Sequence, residues 1–276
     1  MYKSILLFLF SLSITFSEDN LNSWINQIPK PWMLSQKKLD THLKEFHRKF
    51  PNFYDRLIAL NLWRIGTPYG IFCLGEERGF DKDPIIRIDT SDCTVHVLTT
   101  LAFAESESFN EARGSMIKLH YKPDKKGKIE PTYKSRWHFT SDRLLNHPRT
   151  TDITSAICSF SDLETVEIEL NRKENGKQFL DLGWTSKKLI NFIPLERLNY
   201  QIMNKLPRIC GVAFVKKSYF KNGIVVAHEG YVINNKNLIH ASSKEKMTVN
   251  VDFLSYLFNK SENQFDGVMF YDIKEG

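Results

Sequence analysis

Beyond the first seventeen residues, the sequence has no apolar run long enough to cross a bilayer, which excludes an integral membrane protein of the helical kind. It has no recognisable nucleic-acid motif, and its basic residues are scattered apart from Lys122 to Lys128 and Lys216-Lys217, so nucleic acid is disfavoured as a partner. Four cysteines, Cys73, Cys93, Cys158 and Cys210, match no structural zinc spacing. Internal repeats and low-complexity tracts are absent too, which leaves an ordinary folded domain. The composition agrees, with 42% hydrophobic and 25% charged residues in 276.

The N-terminus reads as a secretory leader. Lys3 is the positive end, Ile5 to Phe16 the apolar run, and Thr15-Phe16-Ser17 the small-residue cleavage site ahead of Glu18. Cleavage after residue 17 leaves 18–276 as one domain, periplasmic or secreted, with no transmembrane segment in the mature chain. The net charge is +6, or +5 without Lys3, a mild attraction to an anionic surface such as a bacterial wall.

Residues 21–65 carry a helical pattern. Leu39, Leu43, Phe46 and Phe50 recur every three or four residues after Pro29-Lys30-Pro31, and a second helix from Pro51 ends at Gly66. A turn, Gly66-Thr67-Pro68-Tyr69-Gly70, leads into a loop-like stretch to Ser91. Cys93, Val97, Leu101 and Ala104 then share one face of a helix capped by Ser91 or Asp92. A stretch from about 106 to 206 reads as an insertion, with Lys122 to Lys128 an exposed loop, short strands over 129–170, and an irregular segment plus a short helix over 187–204. The last third is strand-like. Helices first and a sheet later predict an α+β fold.

The chemistry centres on Cys93. A thiol at a helix start feels the positive end of the backbone dipole, which favours thiolate, and the free N–H groups there suit an oxyanion. The competing reading is a small buried apolar residue. A thiolate nucleophile also needs an imidazole to shuttle its proton. Two stand downstream, in Ala227-His228-Glu229-Gly230-Tyr231 and Leu238-Ile239-His240-Ala241-Ser242, on either side of Asn234-Asn235-Lys236-Asn237. Register decides whether they meet. If paired residue numbers sum to 471, the rings fall on opposite faces. If they sum to 470, Gly230 faces His240 and His228 is its diagonal neighbour. A catalytic pair needs the even sum, and that is the expectation. Gly230 leaves space beside the ring for a substrate or a second backbone.

Ser135-Arg136-Trp137-His138 forms a further polar cluster, in which Arg136 has the planar fork to clamp a carboxylate. The alternative is a surface ion pair beside a stacked ring. No metal or cofactor is expected: two histidines and a thiolate could ligate zinc, but no further spaced ligand accompanies them.

Gly66-Thr67-Pro68-Tyr69, Asp92-Cys93-Thr94, His228-Glu229-Gly230 and Ile239-His240-Ala241-Ser242, in this order, resemble the NlpC-type cell-wall cysteine peptidases, a papain-like group. Within it the chain is most similar to the bacterial N-acetylmuramoyl-L-alanine amidase-like family, through Ser135 to Phe139, Thr151 to Thr154, Phe192-Ile193-Pro194 and the segment from Tyr256 to Val268. The resemblance runs from about Asn61 to Asp272. It implies a papain-like core with the Cys93 helix packed on an antiparallel sheet, and a hydrolase acting on peptidoglycan or muropeptides. It also implies that His228 is the general base, His240 its orienting partner and Tyr69 a neighbour of the thiol. Asp92, Ser135, Arg136, His138 and Ser242 are implied supporting or substrate-binding residues.

There are departures. Val95, His96, Val97 and Leu98 follow Thr94 where the family has an aromatic residue, valine and glutamate. Cys210-Gly211 lacks the family's acid, and Glu229 stands where the family has an apolar residue, pointing away from His228. These changes leave a non-catalytic wall-binding protein on the same scaffold as the alternative to an enzyme.

Overall fold

The structure is a computed structural model that describes residues 18–74, 84–258 and 264–276, with side chains from residue 21 onward. The leader read at 1–17 lies outside the described residues. Three helices open the chain: α1 (Glu18–Gln27), α2 (Gln36–Lys49) and α3 (Phe53–Trp63). Leu39, Leu43 and Phe46 are fully buried on the inner face of α2, the stripe that their spacing predicts. Asn52 caps α3 by accepting from Tyr54 N and Asp55 N at 2.9 and 3.2 Å.

Next come α4 (Cys93–Ala104) and α5 (Phe109–His120), then α6 (Thr140–Asn146), β1 (Thr150–Asp152), α7 (Thr154–Ile157), β2 (Glu164–Leu170), β3 (Ser186–Pro194) and α8 (Tyr200–Met203). The C-terminal third holds β4 (Ile209–Val215), β5 (Val226–Ile233), β6 (Asn237–Ser242), β7 (Met247–Asp252), α9 (Phe253–Phe258) and β8 (Gly267–Ile273). The eight strands form one sheet in the order β2-β3-β8-β4-β5-β6-β7, with β1 also pairing β8, and every ladder is antiparallel. This is the α+β class.

Apolar cores cover both faces of the sheet, so the central strand β4 is buried at every residue. On one face Ala213, Tyr231, Ile239 and Tyr271 pack with α2 to α5. On the other, Val212, Phe214, Val232 and Phe253 pack with α8 and α9.

Three segments depart from the sequence reading. Residues 109–120, left without an element by the sequence, are a helix, and so are 140–146, which fall within the stretch expected to hold short strands. Ser186–Pro194, expected to be irregular, is a nine-residue strand: Ile190 and Phe192 alternate inward, and the exposed Lys187 and Leu189 mask that period. Residues 106–206 supply α5 to α8 and β1 to β3, and both β1 and β3 pair with β8.

Candidate active site

Asp92 ends the loop before α4, and its carboxylate accepts from Val95 N at 2.9 Å. This cap sets Cys93 as the first residue of a helix that begins and ends where the spacing predicts. Leu98, the site of the absent glutamate, is fully buried in the core. The loop holding Tyr69 is laced to the same place, with Ser91 N bonded to Pro68 O at 3.0 Å and Gly70 N to Ser91 O at 3.2 Å. Burial raises the pKa of the Tyr69 hydroxyl, as do the adjacent Cys93 and Asp92.

The β5–β6 hairpin takes the even register: Tyr231 pairs Ile239, Val232 pairs Leu238 and Ile233 pairs Asn237. Its three-residue turn is possible because Asn234 and Asn235 both accept positive φ, 51° and 57°. A Cβ on Gly230 would meet Ile239 O at 2.8 Å and His240 Cβ at 2.9 Å, so the space beside His228 is filled by the neighbouring strand. The rings therefore meet, with His228 Nε2 2.7 Å from His240 Nδ1. Phe214 stacks on His228 at 5.4 Å between ring centres, and Tyr256 lies 4.7 Å from the His240 ring. Burial lowers His228 to about 4. Burial, then the neighbouring His228, lowers His240 to about 3.

Cys93 and His228 line one cleft of about 380 Å³, which also holds Phe72, Arg136, His138 and Phe179. The main-chain N–H of Glu229, the residue after His228, lies near enough to the Cys93 sulfur to favour its thiolate. One expectation is corrected here. The helix start was expected to favour thiolate, but burial, followed by the charges of Asp92 and Glu229, pushes the thiol up to about 12. Desolvation outweighs the dipole, and thiol and imidazole are both neutral at rest.

The remaining expected residues divide. Arg136 is buried at 3% exposure on the cleft wall, its guanidinium 5.6 Å from the Tyr133 ring centre. His138 also lines the cleft, its Nε2 2.5 Å from Tyr133 O, and burial brings it to about 4. Ser135 serves its own turn, donating to Glu130 O at 2.7 Å and accepting from Thr132 N at 3.2 Å. Ser242 likewise closes a turn, accepting from Glu245 N at 3.1 Å. Neither serine lines the cleft. Lys122, read as part of an exposed loop, folds inward to Asp142 and sits 4.2 Å from the Trp184 ring centre.

What the sequence reading passed over is the surroundings of Glu229. Its carboxylate is fully buried and accepts from Thr94 Oγ1 at 2.8 Å, Thr140 Oγ1 at 3.2 Å, Arg143 Nη2 at 2.5 Å and Tyr271 Oη at 2.8 Å. The signal was available: an acid in a strand otherwise buried needs a cationic partner. All four cysteines are free thiols. Among the described residues, no three His, Cys, Asp or Glu side chains come together in a metal-holding group, and no helix is long and apolar enough to cross a membrane.

The scaffold is α+β, and it places the helix-start thiol Cys93 and His228 on one cleft. The chain belongs to the N-acetylmuramoyl-L-alanine amidase-like family (AmiA-like), whose profile matches residues 61–265. Among solved structures it is similar to protein LPG0564 from Legionella pneumophila str. Philadelphia 1, with a TM-score of 0.68 at 20% identity over 86% of this chain and 95% of that one. An N-acetylmuramoyl-L-alanine amidase from Bacteroides uniformis ATCC 8492 is also similar, with a TM-score of 0.59 at 24% identity over 79% of this chain and 97% of its own. At these identities the likeness speaks for the fold. No curated protein matches the sequence.

Proposed function

We propose that the protein is an exported cysteine amidase that cuts peptidoglycan, at the bond between N-acetylmuramic acid and L-alanine or within the stem peptide. The observation that carries this is that Cys93 and His228 line one cleft, with His240 bonded behind His228 at 2.7 Å. Family membership supports the substrate class. The leader-like residues 1–17 support export to where that substrate lies. The papain-like core of the NlpC type is the reading of the fold that goes with this chemistry.

The chemistry starts from a neutral pair. His240 holds His228 through Nε2, which leaves Nδ1 for the thiol. As the substrate carbonyl closes on the sulfur, the S–H proton passes to His228 and the S–C bond forms. The N–H groups at the start of α4 take the oxyanion. The amide C–N bond then breaks as His228 returns the proton to the amine. Water, deprotonated by His228, cleaves the thioester to a carboxylic acid and restores the thiol. Arg136 on the cleft wall receives a carboxylate of the stem peptide.

The deciding experiment incubates purified protein and its Cys93→Ala variant with defined muropeptides and identifies products by mass spectrometry. Product from the first and none from the second is expected. Equal product from both eliminates the nucleophile. The raised thiol favours one other reading, a wall-binding protein without turnover. That reading requires muropeptide binding by the unaltered protein with no product at any pH.

A further inference from the structure

Glu229 stands next to the general base, yet its side chain leaves the opposite face of β5. There it gathers four donors from three other elements: Thr94 on α4, Thr140 and Arg143 on α6, and Tyr271 on β8. Thr94 is the residue after the nucleophile, so the carboxylate is tied to the first turn of the nucleophile helix. Both the Glu229 main-chain N–H and the Thr94 hydroxyl lie near enough to the sulfur to favour its thiolate. One residue therefore touches the thiol's surroundings twice, by its N–H and through Thr94.

We propose that Glu229 is the positioning residue of the nucleophile: its N–H and its bond to Thr94 fix where the Cys93 sulfur sits, and its buried charge is the field against which the thiolate forms. The inference rests on Cys93 being the reactive thiol, and it makes Glu229 act through Cys93 rather than on the substrate. Among the described residues the groups around the sulfur are Asp92 before α4, Tyr69 on its loop and Glu229 on β5, with His228 on the same cleft. Farther along the cleft lie His120, Tyr133, Arg136 and His138. Facing Glu229 are Arg143, Tyr271 and Tyr231. Among the described residues Glu229 and Asp92 are the negative side chains that oppose ionisation of Cys93, and Asp92 is held by its cap. The thiol's climb above its ordinary value agrees with this. The Thr94 hydroxyl acts in the opposite sense: it stabilises the thiolate when it turns to sulfur.

The test measures the rate of iodoacetamide alkylation at Cys93 between pH 6 and 10, located by peptide mass spectrometry, with the exposed-side Cys73 as internal reference. In Glu229→Gln labelling of Cys93 at pH 8 rises about tenfold, as a one-unit fall in the thiol's ionisation implies, while Cys73 is unchanged. Arg143 is buried and loses its partner in that variant, so Glu229→Gln/Arg143→Met, which removes both charges, is measured beside it. An unchanged Cys93 labelling rate at pH 8 in either folded variant overturns the proposal. Thr94→Val gives the independent arm: turnover falls at unchanged KM, and Thr94→Ser restores it. Wild-type turnover in Thr94→Val also overturns the proposal. Alkylation reads the sulfur whether or not muropeptides are cleaved, so failure of this inference is separable from failure of the enzymatic reading.

Discussion

His228 Nε2 and His240 Nδ1 face each other at 2.7 Å across two strands whose direct ladder begins only at Tyr231 and Ile239. The bond couples the two tautomers, since one nitrogen must donate and the other accept, and it sets the angle of the His228 ring. Replacing His240 by Ala is expected to lower kcat on muropeptides by about 10²-fold with KM nearly unchanged, the scale of one acid–base contribution. His240→Asn, which keeps a hydrogen-bonding group, recovers part of that loss. Initial-rate kinetics on the two variants check it, and a His240→Ala enzyme of full kcat would remove the orienting role.

Acid should unfold the protein early. His228 and His138 are held at about 4 and His240 at about 3, while His96 and His120 are well below the usual imidazole range, burial being the first cause in each case. Because the folded values lie below the unfolded ones, the unfolded chain binds more protons between about pH 6.5 and 4. The stability is fully present above pH 6.5 and is lost as pH falls toward 4, by a few kcal/mol over the group. Thermal melts at pH 7, 6, 5 and 4.5 should show a steep fall in Tm, and a flat series would contradict it.

Arg136 has its consequence in binding. Its guanidinium lies on the cleft wall at 3% exposure, where a carboxylate contact is little screened. Arg136→Lys is expected to raise KM about tenfold for muropeptides with free stem carboxylates, and to matter less for amidated ones. The comparison of KM on the two substrate forms measures this. Equal losses on both would assign Arg136 to packing on Tyr133 instead.

Gly211 pairs Tyr231 on β5 and Tyr271 on β8, and the Tyr271 ring lies over its backbone where a Cβ would sit. Gly211→Ala must displace that ring, which holds Glu229. We expect a loss of about 1–3 kcal/mol in urea unfolding, the range for overpacking. Asp92→Ala should cost about 1 kcal/mol as a lost cap, and Asp92→Asn only a few tenths. Wild-type urea midpoints in Gly211→Ala and Asp92→Ala would refute both assignments.

Much of the site was legible because its residues obey local rules. A cap, a helix period and a hairpin register follow from residues a few positions apart, and they placed Cys93, His228 and His240 correctly relative to their own elements. Burial is not local. The depth that neutralises the Cys93 thiol belongs to a cleft whose walls come from α6, β5 and the 133–139 segment, none of which the sequence near residue 93 announces. The same holds for Ser135 and Ser242, whose hydroxyls are taken by turns of their own. Strand β3 was missed for a different reason, since exposed lysines and Leu189 on its outer face blur the alternation.

The three-residue turn at Asn234–Lys236 carries a consequence for how such a protein can change. Losing one residue there would leave a hairpin able to form, with the same strands and the same sheet, yet every side chain of β6 would emerge on the other side. Ile239 and Ala241 would point where His240 now does, and the imidazole would be buried beneath α4. A lineage could thus keep its fold and abandon its chemistry in a single deletion, without touching any residue of the cleft.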